Sequence, residues 1–441
     1  MNGPILTTML WLALPTMAAM LVQTFVGIAQ IYFISNLGSQ AIAGTTLAFP
    51  LLMLMQAVSG SGIGGGVASA IGRAYGAGRR GEVDALLLNA VLIALLCGLL
   101  WSAVEAVGAR FLYGHLGGSG GVLDDAVTYS HAVFVGSILF WLVNILSAAL
   151  RGVGDTLFPA IVSFGSVSTL LLSPIMIFGW GAVPAFGLAG AGLAWNIYNV
   201  ASCIALWFYI QRESSPLRLS WRRDWIQWAL LRKILEVGFL SSISTVQSTF
   251  TIVLVTAAVA TFGGNAIAGF GVASRVEYVV LSLMFGLGTA VLAMVSMNIG
   301  ANQVLRARKI AIAGAAMAVV IAGAIGLISA TLSTQWLAAF SGDEPVIEAG
   351  SLYLKYVGPS YGLYGLGLVL YFASQGAGRV FLPVLAGTAR LILAGGAGLV
   401  VVELGGNSAT LFAIFAIAFV TYGLLNLLSF YVADWRLQVG S

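Results

Sequence analysis

The chain has 441 residues, of which 60% are hydrophobic and 8% are charged, and its mean hydropathy is +1.01. A water-soluble domain carries roughly 25% charged residues, so this composition excludes an ordinary soluble enzyme or binding domain. The net charge is +4. The basic residues lie in short stretches between apolar runs, a pattern that excludes a nucleic-acid-binding surface.

Twelve apolar runs follow one another along the chain. A run of about 20 such residues crosses the bilayer as a helix, and a helix satisfies its own backbone polar groups in lipid. We therefore predict an all-α polytopic membrane protein with twelve transmembrane helices, numbered here in chain order. The runs lie near residues 5–35, 39–71, 84–113, 122–150, 156–180, 187–211, 232–262, 265–299, 306–340, 346–374, 380–402 and 407–433.

The distribution of charge predicts the orientation and the domain boundaries. Most Lys and Arg residues fall in alternate loops, so the positive-inside rule places both termini in the cytoplasm. A polar stretch divides the chain into an N-terminal six-helix lobe (1–212), a cytoplasmic interfacial linker (213–230) and a C-terminal six-helix lobe (231–441). In the linker, Trp221, Trp225 and Trp228 would share one face of a short interfacial helix.

The two halves repeat each other. Arg151-Gly152-Val153-Gly154 returns 224 positions later as Gln375-Gly376-Ala377-Gly378. Gly62-Ile63-Gly64 returns at the same offset as Gly286-Leu287-Gly288. Duplicated bundles are typical of transporters that work by alternating access. The repeat therefore predicts two six-helix bundles related by a pseudo-twofold axis.

These signatures resemble the multidrug and toxic compound extrusion (MATE) family. The marks are Leu37 to Gly44 after helix 1, Ala149 to Thr156 after helix 4, Gly187 to Gly192 before helix 6, and Phe285 to Ala301 around the end of helix 8. The resemblance implies two lobes around a central cleft and multidrug efflux driven by a proton or sodium gradient. We expect a monomeric antiporter in the bacterial inner membrane that carries small organic, cationic or amphipathic compounds.

Other functional classes find no support in the sequence. Gly60-Ser61-Gly62-Ile63-Gly64-Gly65 fits GxGxxG, but it lies inside a predicted membrane helix and not after a strand. Small residues there allow helices to pack closely or to kink. We find no catalytic triad, metal cluster or nucleotide loop, so we predict no enzyme activity, no cofactor and no metal.

The coupling site does not follow the family pattern. Many bacterial members carry an acid in helix 1 at the position of Gln30, and several carry another in helix 7, where this chain has Ser244, Gln247 and Ser248. Glu277 is the remaining candidate, about 18 Å into helix 8. A carboxylate at that depth can carry a proton or pair with a cationic substrate.

The sequence leaves two questions about buried charge open. Glu277 could instead form a structural ion pair with Arg390, whereas Arg275, two residues away on the same helix, is a poor partner. His131 could couple protons or could simply be a hydrogen-bonded packing residue. Glu105 and Glu403 are expected at the outer interface.

Polar and aromatic residues could line the substrate cleft, although the same side chains often serve packing alone. Pro15 and Pro359 are expected to kink helices 1 and 10. We predict a proton-coupled exporter in preference to a sodium-coupled one. The alternative is an uncoupled facilitator or an exporter of a specific metabolite or lipid-like substrate. The cleft candidates are Gln30, Tyr32, Phe134, Trp141, Tyr361 and Tyr364.

Overall fold

The computed structural model describes residues 3–219 and 226–435. The predicted interfacial helix of the linker includes residues 220–225, which lie outside the described residues. Twelve helical segments cross the bundle, and we label them α1 to α12. They are α1 Ile5–Ser35, α2 Ser39–Gly76, α3 Arg80–His115, α4 Gly120–Phe134 with Ser137–Gly152, α5 Leu157–Phe178, α6 Leu188–Ile210, α7 Trp228–Ala260, α8 Gly264–Gly300, α9 Val304–Thr331, α10 Glu344–Val357 with Tyr361–Ala377, α11 Phe381–Glu403 and α12 Ser408–Val432.

The twelve-helix prediction is confirmed. Among the described residues, ten segments are continuous, long and apolar enough to span a membrane. The two parts of α4 bend by 50° and make the eleventh span. α10 is the twelfth helical segment, and a 3-10 turn, Gly358–Ser360, interrupts it at Pro359. Proline lacks an N–H and cannot continue the helical hydrogen bonds, so the break falls where the sequence predicts it. At Pro15, by contrast, α1 continues as one helix.

Each lobe has its own hydrophobic core, and the first helix of each lobe reaches into the other. Met9 and Met17 of α1 pack in the core formed by α7 to α12. Leu230 and Ile234 of α7 pack in the core formed by α2 to α6. The exchange joins the lobes at the end of the bundle where α1 and α7 begin, which is also the end that carries the basic loops.

Glycines bring the lobes into contact in a symmetric way. A Cβ on Gly62 of α2 would come within 3.2 Å of the Ser242 Cα on α7, and one on Gly286 of α8 would come within 2.8 Å of the Met17 nitrogen on α1. Gly62 and Gly286 are 224 positions apart. Contacts of this kind are those that a pseudo-twofold axis between the lobes produces.

The glycine-rich motif of α2 forms a π-helical turn, Val58–Ile63. Such turns widen the helix locally and leave a carbonyl group free for other partners. Because Gly62 packs directly on α7, the motif serves helix packing, as predicted, and does not form a nucleotide loop.

Candidate transport site

The C-terminal lobe holds a group of polar side chains in its interior, contributed by five helices. We call it the C-lobe polar cluster. Its members come from α7, α8, α10, α11 and α12, and none of these helices could build it alone. They are Ser248, Glu277, Tyr353, Tyr361, Tyr364, Arg390 and Tyr422.

Glu277 lies on α8, 13 residues after Gly264, which places it about 20 Å along the helix. Its Oε2 accepts a hydrogen bond from the Tyr353 hydroxyl at 3.1 Å. Tyr353 is only 2% exposed, whereas Glu277 is partly exposed. A partly exposed carboxylate at this depth can gain or lose a proton without unfolding the bundle.

Arg390 lies on α11 and is 3% exposed. It donates hydrogen bonds to the Tyr364 hydroxyl at 3.0 Å and to the Ser248 Oγ at 2.8 Å. Its guanidinium also lies over the Tyr422 ring, 5.0 Å from the centroid. Neutral hydroxyls and aromatic rings therefore surround the charge, an arrangement that favours the cation but does not neutralise it.

The direct bridge between Glu277 and Arg390 does not form. Within the described residues no ion pair or hydrogen bond joins them, and Arg390 donates instead to Tyr364 and Ser248. Arg275 is exposed on the same helix as Glu277. The Arg390 Nε and the Tyr361 hydroxyl are buried without a hydrogen-bond partner. The cluster thus keeps unused donor capacity in its interior.

A cavity of about 450 Å³ lies between α7 and α11, close to this cluster. Gln247 lines the cavity and donates a hydrogen bond to the Thr388 Oγ1 at 2.8 Å. Its neighbour Ser248 is the residue that holds Arg390. One turn of α7 therefore carries both the cavity wall and a member of the polar cluster.

The predicted cleft residues have different surroundings. Gln30 donates to the Thr169 Oγ1 at 3.2 Å and is partly exposed, and Tyr32 is 68% exposed. Phe134 and Trp141 are 0% and 1% exposed inside the N-terminal core, so they are packing residues in this conformation and do not face a cleft. Tyr361 and Tyr364 are also buried, within the C-lobe polar cluster. Their roles in transport stay predictions.

His131 has a partner that the sequence did not reveal. Its Nδ1 lies 2.7 Å from the Glu105 Oε2. The expectation that Glu105 reaches the interface is wrong, because this residue is 2% exposed and packs between α3 and α4. Its position near the end of an apolar run suggested exposure, but Ser130 and His131 of α4 pack against its carboxylate.

Gln375, the repeat equivalent of Arg151, links the lobes. Its Nε2 donates to the Ser61 carbonyl of the α2 π-helical turn at 2.9 Å and to the Ser241 Oγ of α7 at 2.8 Å. The Ser69 Oγ donates to the Gln375 carbonyl at 2.5 Å. Gln375 is fully buried, and the missing side chain of Gly65 leaves room for it. The lobes are therefore closed at the end that carries the basic loops.

A duplicated helical bundle with a charged cluster inside one lobe defines a membrane transporter of the secondary type. Comparison with known proteins then gives the family. The MatE family profile matches residues 15–175 and 239–395, one block in each lobe. The chain belongs to this family, which is the MATE family of transporters.

Proteins of similar sequence align with most of the chain. The "FAD transporter" of Shewanella oneidensis is 27% identical over 85% of this chain and 82% of its own. The "Probable multidrug resistance protein YoeA" of Bacillus subtilis is 26% identical over 79% and 76%. The "Multidrug export protein MepA" of Staphylococcus aureus is 24% identical over 88% and 86%.

Solved structures share the fold. A MOP superfamily transporter from Pyrococcus furiosus superposes with a TM-score of 0.87 at 22% identity, covering 98% of this chain and 95% of that one. A MATE structure in a bent conformation gives a TM-score of 0.90 at 21% identity over 97% and 95%. The protein is thus a multi-pass membrane transporter with the two-lobed MATE fold, and members of this family are not enzymes.

Proposed function

We propose that the protein is a monomeric secondary active exporter that exchanges protons for small organic compounds by alternating access. Its place would be the bacterial inner membrane, with both termini in the cytoplasm. The observation that carries the proposal is Glu277, a partly exposed carboxylate that Tyr353 holds in the interior of the C-terminal lobe. An acid in the membrane interior is expensive to keep and commonly marks an ion or substrate pathway.

A proton suits this site better than a sodium ion. A hard metal cation needs several oxygen ligands, and the described residues contain no group of three His, Cys, Asp or Glu side chains that could hold a metal. A proton on Glu277 instead removes a negative charge without adding a metal to the cluster.

The same cluster supports two candidate classes of substrate, and the first is cationic. A cationic amphipathic compound would be attracted by ionised Glu277 and by the aromatic rings around it, which favour cations through their faces. Protonation of Glu277 would then weaken that attraction and release the substrate. This competition for one carboxylate is the simplest form of proton-for-substrate exchange.

A second candidate is an anionic aromatic substrate. Arg390 is buried, has no acidic partner among the described residues and keeps its Nε unpartnered. The similar protein of Shewanella oneidensis bears the name "FAD transporter", and FAD combines an aromatic ring system with a negatively charged diphosphate. Arg390 and the tyrosines beside it offer groups that suit both parts.

Counterflow in proteoliposomes tests these proposals together. Vesicles containing the protein would receive either a proton gradient or a sodium gradient of equal size, with a cationic dye or a flavin nucleotide as the labelled substrate. We expect accumulation that follows the proton gradient and ignores sodium. The substrate that accumulates decides between the two candidates. Counterflow that is independent of both gradients would identify an uncoupled facilitator.

A further inference from the structure

A second buried carboxylate lies in the N-terminal lobe, far from Glu277. The Glu105 Oε1 accepts a hydrogen bond from the Ser130 hydroxyl at 2.6 Å, and its Oε2 lies 2.7 Å from the His131 Nδ1. The Glu105 side chain is 3% exposed, whereas that of His131 is 46% exposed. The group therefore combines an acid shielded from solvent with an imidazole that reaches the protein surface.

We propose that Glu105 and His131 form a proton-binding site, loaded from the outer side of the membrane. Glu105 follows Arg80, the first residue of α3, by 25 positions, which places it about 37 Å from the end that carries the basic loops. The exposed imidazole thus lies in the half of the lobe where α4 begins, with Asp124 and Asp125 near its start. The proposal rests on the proposed function for the orientation of the chain and for the direction of the proton gradient.

The geometry favours a proton over a metal ion. Ser130 donates to one carboxylate oxygen, and in the Nδ1–H tautomer His131 donates to the other, so both oxygens already face donors. A metal would have to displace these donors, and the described residues contain no group of three His, Cys, Asp or Glu side chains that could hold one. A proton needs no such rearrangement. It would enter through His131, whose side chain is 46% exposed.

Charge accounts for why the site should take up a proton. With neutral His131, the pair carries one negative charge in a mostly buried position, a costly state in an apolar lobe. One proton on the imidazole converts it into a hydrogen-bonded ion pair with no net charge. The site can therefore exist in two charge states that keep the same hydrogen bonds to Glu105.

The surrounding titratable groups are few. On α3, the Tyr113 hydroxyl is buried without a hydrogen-bond partner and lies near Ser130 and Glu105, and Arg110 is bound to Asp124 at 2.7 Å. On α4, Asp125 accepts a hydrogen bond from Gln40 at 2.9 Å, and Tyr129 packs beside Tyr113. His115, at the end of α3, contacts the Phe111 carbonyl. The part of α2 packed here, Ser39–Ala57, carries no titratable side chain, and α6 contributes Asn196, which donates to the Ala132 carbonyl.

Proton uptake by the purified protein tests the site without any transport assay. Infrared difference spectroscopy and a calibrated pH-indicator dye would follow a step from alkaline to acidic pH for wild type, E105Q and H131Q. Gln at 131 keeps a donor for Glu105 but cannot titrate. We expect H131Q to lose about one proton of uptake per chain together with the imidazole bands. E105Q should keep the imidazole bands at altered positions, because the ring has lost its carboxylate partner. D124N, which alters an exposed ion pair on the same helix as His131, serves as the control and should retain these bands.

Two outcomes separate this site from the proposed exporter. Uptake and infrared bands identical in wild type and H131Q, or imidazole bands identical in wild type and E105Q, would overturn the proton site, whatever the transport result. E277Q should retain the His131 signal, because Glu277 lies in the other lobe. If E105Q does not fold, the two single variants H131Q and S130A still decide the question. S130A removes one donor to Glu105 but leaves the titrating pair, whereas H131Q removes the titrating imidazole.

Discussion

Gly76 and Gly300 lie 224 positions apart, and each packs against the helix that carries the other. A Cβ on Gly76 of α2 would collide with the Met297 carbonyl of α8, and a Cβ on Gly300 would collide with the Arg73 carbonyl of α2. Arg73 and Met297 are themselves 224 positions apart. The duplicated sequence therefore meets its own copy where the lobes close, and closure at this end depends on two residues without side chains.

Replacing one of these glycines should hold the lobes apart. In G76V the new side chain meets the α8 backbone, and overpacking of this kind costs about 1–3 kcal/mol. We expect the buried position 69, converted to cysteine in a background without Cys97 and Cys203, to react roughly tenfold faster with a water-soluble thiol reagent. G81V is the matched control, since a Cβ at Gly81 has nothing within 4 Å. Equal labelling rates at position 69 in G76V and G81V would contradict closure of the lobes at this end.

Gln375 should stabilise the same closed state through hydrogen bonds. Q375L removes two donor interactions and leaves the Ser61 carbonyl without that partner in a buried position, a loss of about 1–3 kcal/mol. Spin labels at the exposed positions 79 and 305, one in each lobe, would report the separation. We expect a new population at longer distance in Q375L. The control Q40L loses a hydrogen bond within one lobe, so a similar shift there would argue against a specific role for Gln375.

Pro15 should matter for transport more than for folding. It lies in the part of α1, Met9 to Met17, that packs in the C-terminal core, so a local change in helix shape there affects contacts between the lobes. We expect P15A to keep wild-type expression and thermal stability but to lose most counterflow activity, because Pro15 withholds one backbone hydrogen bond. P50A, inside α2, provides the comparison. Full activity in a well-folded P15A protein would show that the proline is dispensable.

The sequence was sufficient for the fold because the relevant signals are local or repeated. Apolar runs predict the twelve spans, and Pro359 predicts the interruption of α10. The glycine repeats predict the symmetric contacts of Gly62 and Gly286, since a position that tolerates no Cβ in one lobe tends to tolerate none in the other.

Side-chain partnerships were harder to predict. Glu105 and His131 belong to different helices, α3 and α4, and the sequence does not show which faces of these two helices meet. Arg390 was expected near Glu277, yet hydroxyls of Tyr364 and Ser248 take its donors. Such choices depend on the rotation of each helix within the bundle. Hydrophobic runs that are apolar on all sides do not reveal that rotation.

The most direct test of the account is efflux from proteoliposomes by E277Q under an imposed proton gradient. We expect wild type and E403Q, a neutralised acid at the exposed end of α11, to export substrate in proportion to the gradient. E277Q should lose proton-driven efflux, because an amide cannot exchange the proton. Proton-driven efflux that persists in E277Q, or wild-type efflux that follows a sodium gradient at constant pH, would contradict coupling through Glu277.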